Sequence, residues 1–304
     1  MFPKIRIYLG AMNPVAATTV LAFTALCFGL IPLFAKALQG YGVDSATIAL
    51  YRFLFSALIL SPLFPLSKGK RKQALLMVLG GASMGLGWLA YMQAVEQAAV
   101  AVVGVVYMTY PLFTIGFAWL LAGSKPSIKS VMSGLLILAG AIVVLNGATQ
   151  SSLALSTLLI ALASPVCMGL FIVVLTTKGN GLSPLERMSS TMTGAALVLA
   201  PIVIYREGGI FVPADWNAAG LIVGLAVVTA LVPQILYSFA TAKVGPSQTA
   251  IAGSLELPTM LIVGWLAFGE ALGSNEAIAT MLVFAAVVLV PLVKPLRPRV
   301  PTAA

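Results

Sequence analysis

The sequence predicts an all-α integral membrane protein whose ten transmembrane helices form a five-plus-five inverted repeat. Of its 304 residues, 60% are apolar and only 8% are charged, whereas soluble domains carry about 25% charged residues. The mean hydropathy is +1.06. A chain with so few polar residues cannot form the surface of a fold in water. Its apolar residues fall into runs that are long enough to cross a bilayer.

Ten continuous apolar stretches account for the helices, because a helix needs about 20 residues to cross a hydrocarbon core about 30 Å thick. The runs do not alternate between apolar and polar residues, so they are not typical of β-barrel strands. The first run is too long for the core of a signal peptide and is expected to be retained. The stretches lie at residues 15–38, 45–65, 74–95, 98–121, 127–146, 153–177, 184–205, 216–241, 246–268 and 275–293.

The basic residues predict the orientation of these spans. Fourteen of the 17 Lys and Arg residues fall in segments that ten spans place on one side of the membrane. Lys36 and Arg206 fall on the other side, and Arg52 lies within the second span. Because an excess of Lys and Arg marks cytoplasmic segments, we expect both termini to be cytoplasmic.

The composition also excludes several kinds of chemistry. The chain has no histidine, so it cannot form a Ser-His-Asp triad or an imidazole metal site. Its two cysteines, Cys27 and Cys167, lie in apolar runs and predict no disulfide framework. Gly123-Ser124-Lys125 lacks the glycine spacing of a phosphate-binding loop. We therefore expect no enzyme activity, cofactor, metal or nucleic-acid partner.

An internal repeat divides the chain in two. Cys27-Phe28-Gly29-Leu30 resembles Cys167-Met168-Gly169-Leu170, and Tyr110-Pro111 resembles Leu257-Pro258, at nearly the same offset. Two five-helix repeats are therefore expected at residues 1–147 and 148–304. An odd number of spans inserts the second repeat upside down, and inverted repeats are typical of alternating access about a site at their interface.

Motifs in the second half resemble a known family. Glu256-Leu257-Pro258, followed by Gly264-Trp265 and Gly269-Glu270, is similar to the signature of the EamA branch of the drug/metabolite transporter superfamily. Tyr51-Arg52-Phe53 is similar to the arginine segment in the second helix of that branch. The resemblance covers nearly the whole chain, and it implies a secondary transporter in a bacterial inner membrane.

The first half departs from this pattern, since Tyr110-Pro111 replaces Glu-Pro and Ser124-Lys125 replaces the closing Gly-Glu. Its aromatic residues look most like those of a bacterial amino-acid exporter of the branch. The resemblance therefore implies export of amino acids, aromatic ones included, by a protein that lies in membrane lipid and needs no oligomer. An exporter of toxic cationic or aromatic compounds is the alternative, and a lipid-modifying intramembrane enzyme is a remote one.

Eight residues are expected to contact the substrate. Six lie on the third, fourth and eighth spans, where rings at i and i+3 share a helix face. They are too deep for the aromatic belts of membrane interfaces, and a mixed aromatic and amide lining suits small amphiphilic solutes. The alternative is that these rings face lipid or pack on protein. The set is Trp88, Tyr91, Tyr107, Tyr110, Gln234, Tyr237, Arg52 and Glu256.

The two charged members lie inside spans, where charges usually face a cavity or a partner. Glu256 is expected to bind a substrate ammonium group or relay a proton, unless it is a neutral packing group. Arg52 could bind a carboxylate, or it could instead tie helices together through backbone carbonyls.

Prolines interrupt several spans and are expected to bend the helices by freeing the carbonyl four residues earlier. For Pro111 and Pro258 these carbonyls belong to Tyr107 and Ser254.

Overall fold

The structure is a computed structural model that describes residues 12–148, 155–207, 213, 215–270 and 273–289. In these ranges the regular structure is helical, without strands. The α-helices are α1 Pro14–Gly29, α2 Ile31–Gly40, α3 Ser45–Leu60, α4 Arg71–Gln97, α5 Val100–Tyr107, α6 Tyr110–Ala122, α7 Ile128–Ala148, α8 Leu155–Thr177, α9 Pro184–Glu207, α10 Trp216–Ala226, α11 Val232–Val244, α12 Pro246–Gly253, α13 Glu256–Phe268 and α14 Ser274–Leu289.

Eight stretches of the described residues are long and apolar enough to cross a membrane, so the chain is a multi-pass membrane protein. Two shorter apolar helices, within α7 and α14, lie where the fifth and tenth spans are predicted. The end of the tenth predicted span lies outside the described residues. The eight stretches are Pro14–Gly40, Ser45–Leu63, Lys68–Gln97, Val100–Ala122, Leu155–Thr177, Pro184–Arg206, Trp216–Val244 and Pro246–Phe268.

Pro32, Pro111 and Pro258 lie in the first turns of α2, α6 and α13, and each of these helices follows a short break in its span. A proline in a first turn costs no hydrogen bond, because the N–H groups there have no helical partner. The expectation that Pro111 and Pro258 bend continuous helices is therefore wrong, since each lies where a new helix begins. Pro233 and Pro165 differ, because α10 continues into α11 through the π-helical segment Val227–Leu231, and Pro165 lies inside α8.

The carbonyl of Ser254 also differs from its expected state. It accepts a hydrogen bond from the Leu257 N–H at 3.1 Å, across the turn that joins α12 to α13. The prediction that Pro258 leaves this carbonyl free is wrong, because the turn supplies a donor three residues later.

Helices from the two parts of the chain pack on one another in matching pairs. α4 packs on α8 as α11 packs on α1, and α6 packs on α8 as α13 packs on α1. α3 packs on α9, and α7 on α14. The closest approach is between α4 and α9, where Cβ atoms on Gly81 and Gly194 would overlap the backbones of Thr191 and Val78.

Candidate functional site

The predicted aromatic residues of α4, α5 and α6 form one buried cluster. The ring centroids of Trp88 and Tyr91 are 5.1 Å apart, and that of Tyr107 lies 5.3 Å from Trp88 and 5.2 Å from Tyr110. These separations and the tilted ring planes are those that aromatic pairs prefer. All four side chains are at most 2% exposed, so these rings do not face lipid, and packing on protein is the alternative to a substrate contact.

The predicted residues of α11 lie beside this cluster. Tyr237 packs against Phe28 of α1, with ring centroids 6.0 Å apart. The amide nitrogen of Gln234 lies 3.6 Å from the sulfur of Met84 on α4. Both predicted residues are buried, and together they join α11 to the first half of the chain.

Arg52 connects the two aromatic groups. Its guanidinium carbon lies 4.0 Å from the centroid of Trp88 and 5.9 Å from that of Phe28. Its Nη2 donates to the carbonyl of Thr229 at 2.9 Å and its Nε to the hydroxyl of Thr229 at 3.2 Å. Thr229 lies in the π-helical segment Val227–Leu231 between α10 and α11.

Two of the three guanidinium nitrogens of Arg52 therefore hold α3 against the π-helical segment before α11. The third nitrogen, Nη1, is buried and has no hydrogen-bond partner in the protein. Part of the alternative interpretation, a tie to a backbone carbonyl, is thus correct. Nη1 therefore remains able to donate a hydrogen bond to a further acceptor.

Glu256 is the first residue of α13 and is only 1% exposed. It interacts electrostatically with Arg52 and with the phenol groups of Tyr91, Tyr107, Tyr110 and Tyr237. Among the described residues, no salt bridge joins Glu256 to Arg52. The carboxyl oxygen Oε1 has no hydrogen-bond partner. Since a buried charge without a partner costs several kcal/mol, this group is suited to receive a cation or a proton.

The tyrosine hydroxyls differ in their partners. Tyr110 donates to the carbonyl of Ala250 at 3.0 Å, and Tyr91 lies 3.7 Å from the sulfur of Met260. The hydroxyl of Tyr107 and the Oε1 atom of Gln234 are buried without a partner. The unpartnered polar atoms of the predicted set thus come from α3, α5, α11 and α13.

One end of the bundle is closed by a carboxylate in the segment that follows α13. Glu270, just after this helix, accepts the N–H groups of Val100 and Ala101 at 2.9 and 3.1 Å. It also pairs with Lys36 of α2 at 3.5 Å. These contacts join α2, α5 and α13 beside a cavity of about 610 Å³. At this end Glu96 also accepts the hydroxyl of Ser45.

The other end carries a second cavity, of about 1050 Å³. It lies between the loop after α3 and the loop before α9, and Phe239 of α11 contributes to its wall. Lys70 and Glu186, which pair at 2.7 Å, are among its charged residues. The two cavities therefore lie at the two predicted sides of the membrane, with charged pairs beside each.

Comparison with known proteins places this bundle in a family. The model of the EamA-like transporter family matches residues 16–146 and 155–292. The chain belongs to the EamA-like transporter family. This match confirms the predicted branch, whose members are membrane transporters of the drug/metabolite type rather than enzymes.

Solved structures agree with the EamA fold. Among 29 matching chains is a crystal structure of a protein with 17% identity and a TM-score of 0.67, which covers 90% of this chain and 96% of that one. At that identity the similarity shows the fold alone. No curated protein sequence matches the chain.

Four partners of the predicted residues were not predicted from the sequence. Thr229, Ala250, Met84 and Met260 each lie against a polar group of a predicted residue. We find no signal for them in the sequence, because a threonine, an alanine or a thioether on an apolar helix looks like any other core residue.

Proposed function

We propose that this chain is a secondary transporter that exports amino acids, aromatic ones included, across a bacterial inner membrane by alternating access. The substrate class is supported by two buried groups of opposite charge, each with an unpartnered atom beside the aromatic cluster. These atoms are Nη1 of Arg52 and Oε1 of Glu256. A zwitterionic amino acid carries a carboxylate for the first and an ammonium group for the second, and its side chain would pack on the rings.

The chemistry of each contact fits this assignment. A guanidinium group is always charged and binds carboxylates with good geometry. A buried carboxylate favours an ammonium group, and ring faces such as those of the aromatic cluster attract cations as well. The cluster around Tyr107 offers stacking partners that every aromatic side chain can use. We propose the whole predicted set of eight residues as the substrate site.

Alternating access is supported by the relation between the two parts of the chain. The same family model matches both, and their helices pack in matching pairs. Gly123 and Gly269 end α6 and α13 in the same left-handed conformation, with φ of 63° and 67°. These features support two inverted repeats of five helices, at residues 1–147 and 148–304. The distribution of Lys and Arg supports cytoplasmic termini.

The test is counterflow with the purified protein in proteoliposomes. Labelled phenylalanine should exchange against internal phenylalanine. Phenethylamine, which lacks the carboxylate, and 3-phenylpropionate, which lacks the ammonium group, should each compete at least about tenfold less well, because each leaves one buried charge unpaired. Equal competition by all three compounds would contradict recognition of a zwitterion.

Export of aromatic cations is the second candidate, and one observation favours it. Glu256 interacts electrostatically with four tyrosines, an arrangement that could hold an organic cation without any help from Arg52. In the same assay phenethylamine would then compete better than phenylalanine, and the arginine variant Arg52→Met would still transport it.

A further inference from the structure

A third cavity lies on the outside of the bundle, at the start of α4. It has a volume of about 440 Å³. One wall is a single face of α4, formed by Arg71, Ala74, Leu75 and Val78 at positions i, i+3, i+4 and i+7. The loop after α3 forms the opposite wall, with Phe64, Pro65 and Leu66.

The cavity has a charged end and an apolar end. Arg71 is its charged residue, and the other lining residues are apolar. From Arg71 to Val78 the groove follows α4 for about 10 Å, at 1.5 Å per residue. Leu66 and Leu75 are 77% and 59% exposed on the isolated chain, as expected for side chains that meet lipid.

Four basic residues lie within five positions at the charged end. Lys70 is paired with Glu186 at 2.7 Å. In the part of the chain that the structure describes, no hydrogen bond or ion pair engages the side chains of Lys68, Arg71 and Lys72. Such clusters next to a membrane helix attract anionic lipid headgroups.

From this combination we infer that the groove binds one anionic phospholipid. The phosphate accepts from Arg71, with Lys68 and Lys72 beside it, and an acyl chain lies along Ala74, Leu75 and Val78. An arginine can donate two parallel hydrogen bonds to a phosphate, which fixes the headgroup. A free phosphate would leave the apolar part of the groove unfilled, so the lipid is the ligand that matches both ends.

Native mass spectrometry of the detergent-purified full chain tests this site, with phosphatidylglycerol as the probe and zwitterionic phosphatidylcholine for comparison. We expect one phosphatidylglycerol molecule to be retained. Arg71→Gln combined with Lys72→Gln should weaken its binding about 10-fold to 30-fold, since two cations near the headgroup are lost. Leu75→Trp, which fills the apolar end, should weaken it to a similar extent.

The control is Lys125→Gln combined with Lys129→Gln, which removes two exposed charges from the same predicted side but outside this cavity. It should change lipid binding less than twofold. All five replaced side chains are exposed, so the variants should fold, and gel filtration checks this. An equal loss in the control, unchanged binding in Leu75→Trp, or equal retention of phosphatidylcholine would each overturn the site.

Discussion

Replacing Glu270 by glutamine should open the end of the bundle that this carboxylate closes. The helix α5 begins at Val100, and Ala99 before it has no side chain that could cap the free N–H groups. Glu270, which follows α13, supplies this cap through two hydrogen bonds of 2.9 and 3.1 Å. The change from a carboxylate to an amide leaves one acceptor oxygen in place of two.

The magnitude follows from these contacts. A hydrogen bond to a charged group contributes about 1.5–3 kcal/mol and a neutral one about 0.5–1.5 kcal/mol. Glu270→Gln loses one charged bond and makes the other neutral. The pair with Lys36 adds little, because both side chains are partly exposed. A loss of about 3 kcal/mol shifts the ratio of closed to open states roughly 100-fold.

A buried reporter on α5 measures the opening. Val103 is 2% exposed, so in a background of Cys27→Ala and Cys167→Ala, Val103→Cys should react slowly with a membrane-impermeant thiol reagent from outside. Glu270→Gln should raise that rate at least about tenfold. The matched control is Glu186→Gln, which breaks the ion pair at the other end. An unchanged rate in Glu270→Gln would refute the closing role of Glu270.

Three further predictions concern the site and the topology. Glu256→Gln should abolish most phenylalanine counterflow while the amount of folded protein stays near normal, and wild-type transport would make Glu256 a packing residue. Trp88→Ala and Tyr107→Leu should each shift selectivity a few-fold to tenfold against phenylalanine relative to threonine, because stacking contributes about 0.5–1.5 kcal/mol; an equal loss for both solutes would indicate packing alone. A reporter that is active only in the cytoplasm should be active when it is fused after each of four residues in predicted inner loops: Lys72, Lys129, Lys178 and Lys243. An inactive fusion at any of them would contradict the ten spans.

The sequence predicted the features that depend only on residues within one helix. Helical spacing placed Trp88 and Tyr91 on one face, and the structure brings these rings together. Apolar length located the eight stretches that are long enough to cross a membrane. Both properties depend on neighbours within a few turns, so a single sequence contains them.

Contacts between distant segments were the part that could not be predicted. The pairing of Arg52 with Thr229 joins residues 177 positions apart, and that of Glu270 with Val100 joins residues 170 positions apart. No local pattern specifies such partners. The prolines illustrate the same limit, because a proline within an apolar run can bend one helix or begin another, and the packing decides which.

The glycine contact between α4 and α9 joins the two halves of the chain at the level of the backbone. A Cβ atom on Gly81 would collide with the carbonyl oxygen of Thr191, and one on Gly194 would collide with that of Val78. A side chain at either position would therefore have to push the two helices apart. Because α4 belongs to the first half of the chain and α9 to the second, a motion that swings one half as a rigid block against the other would have to break or shift this contact.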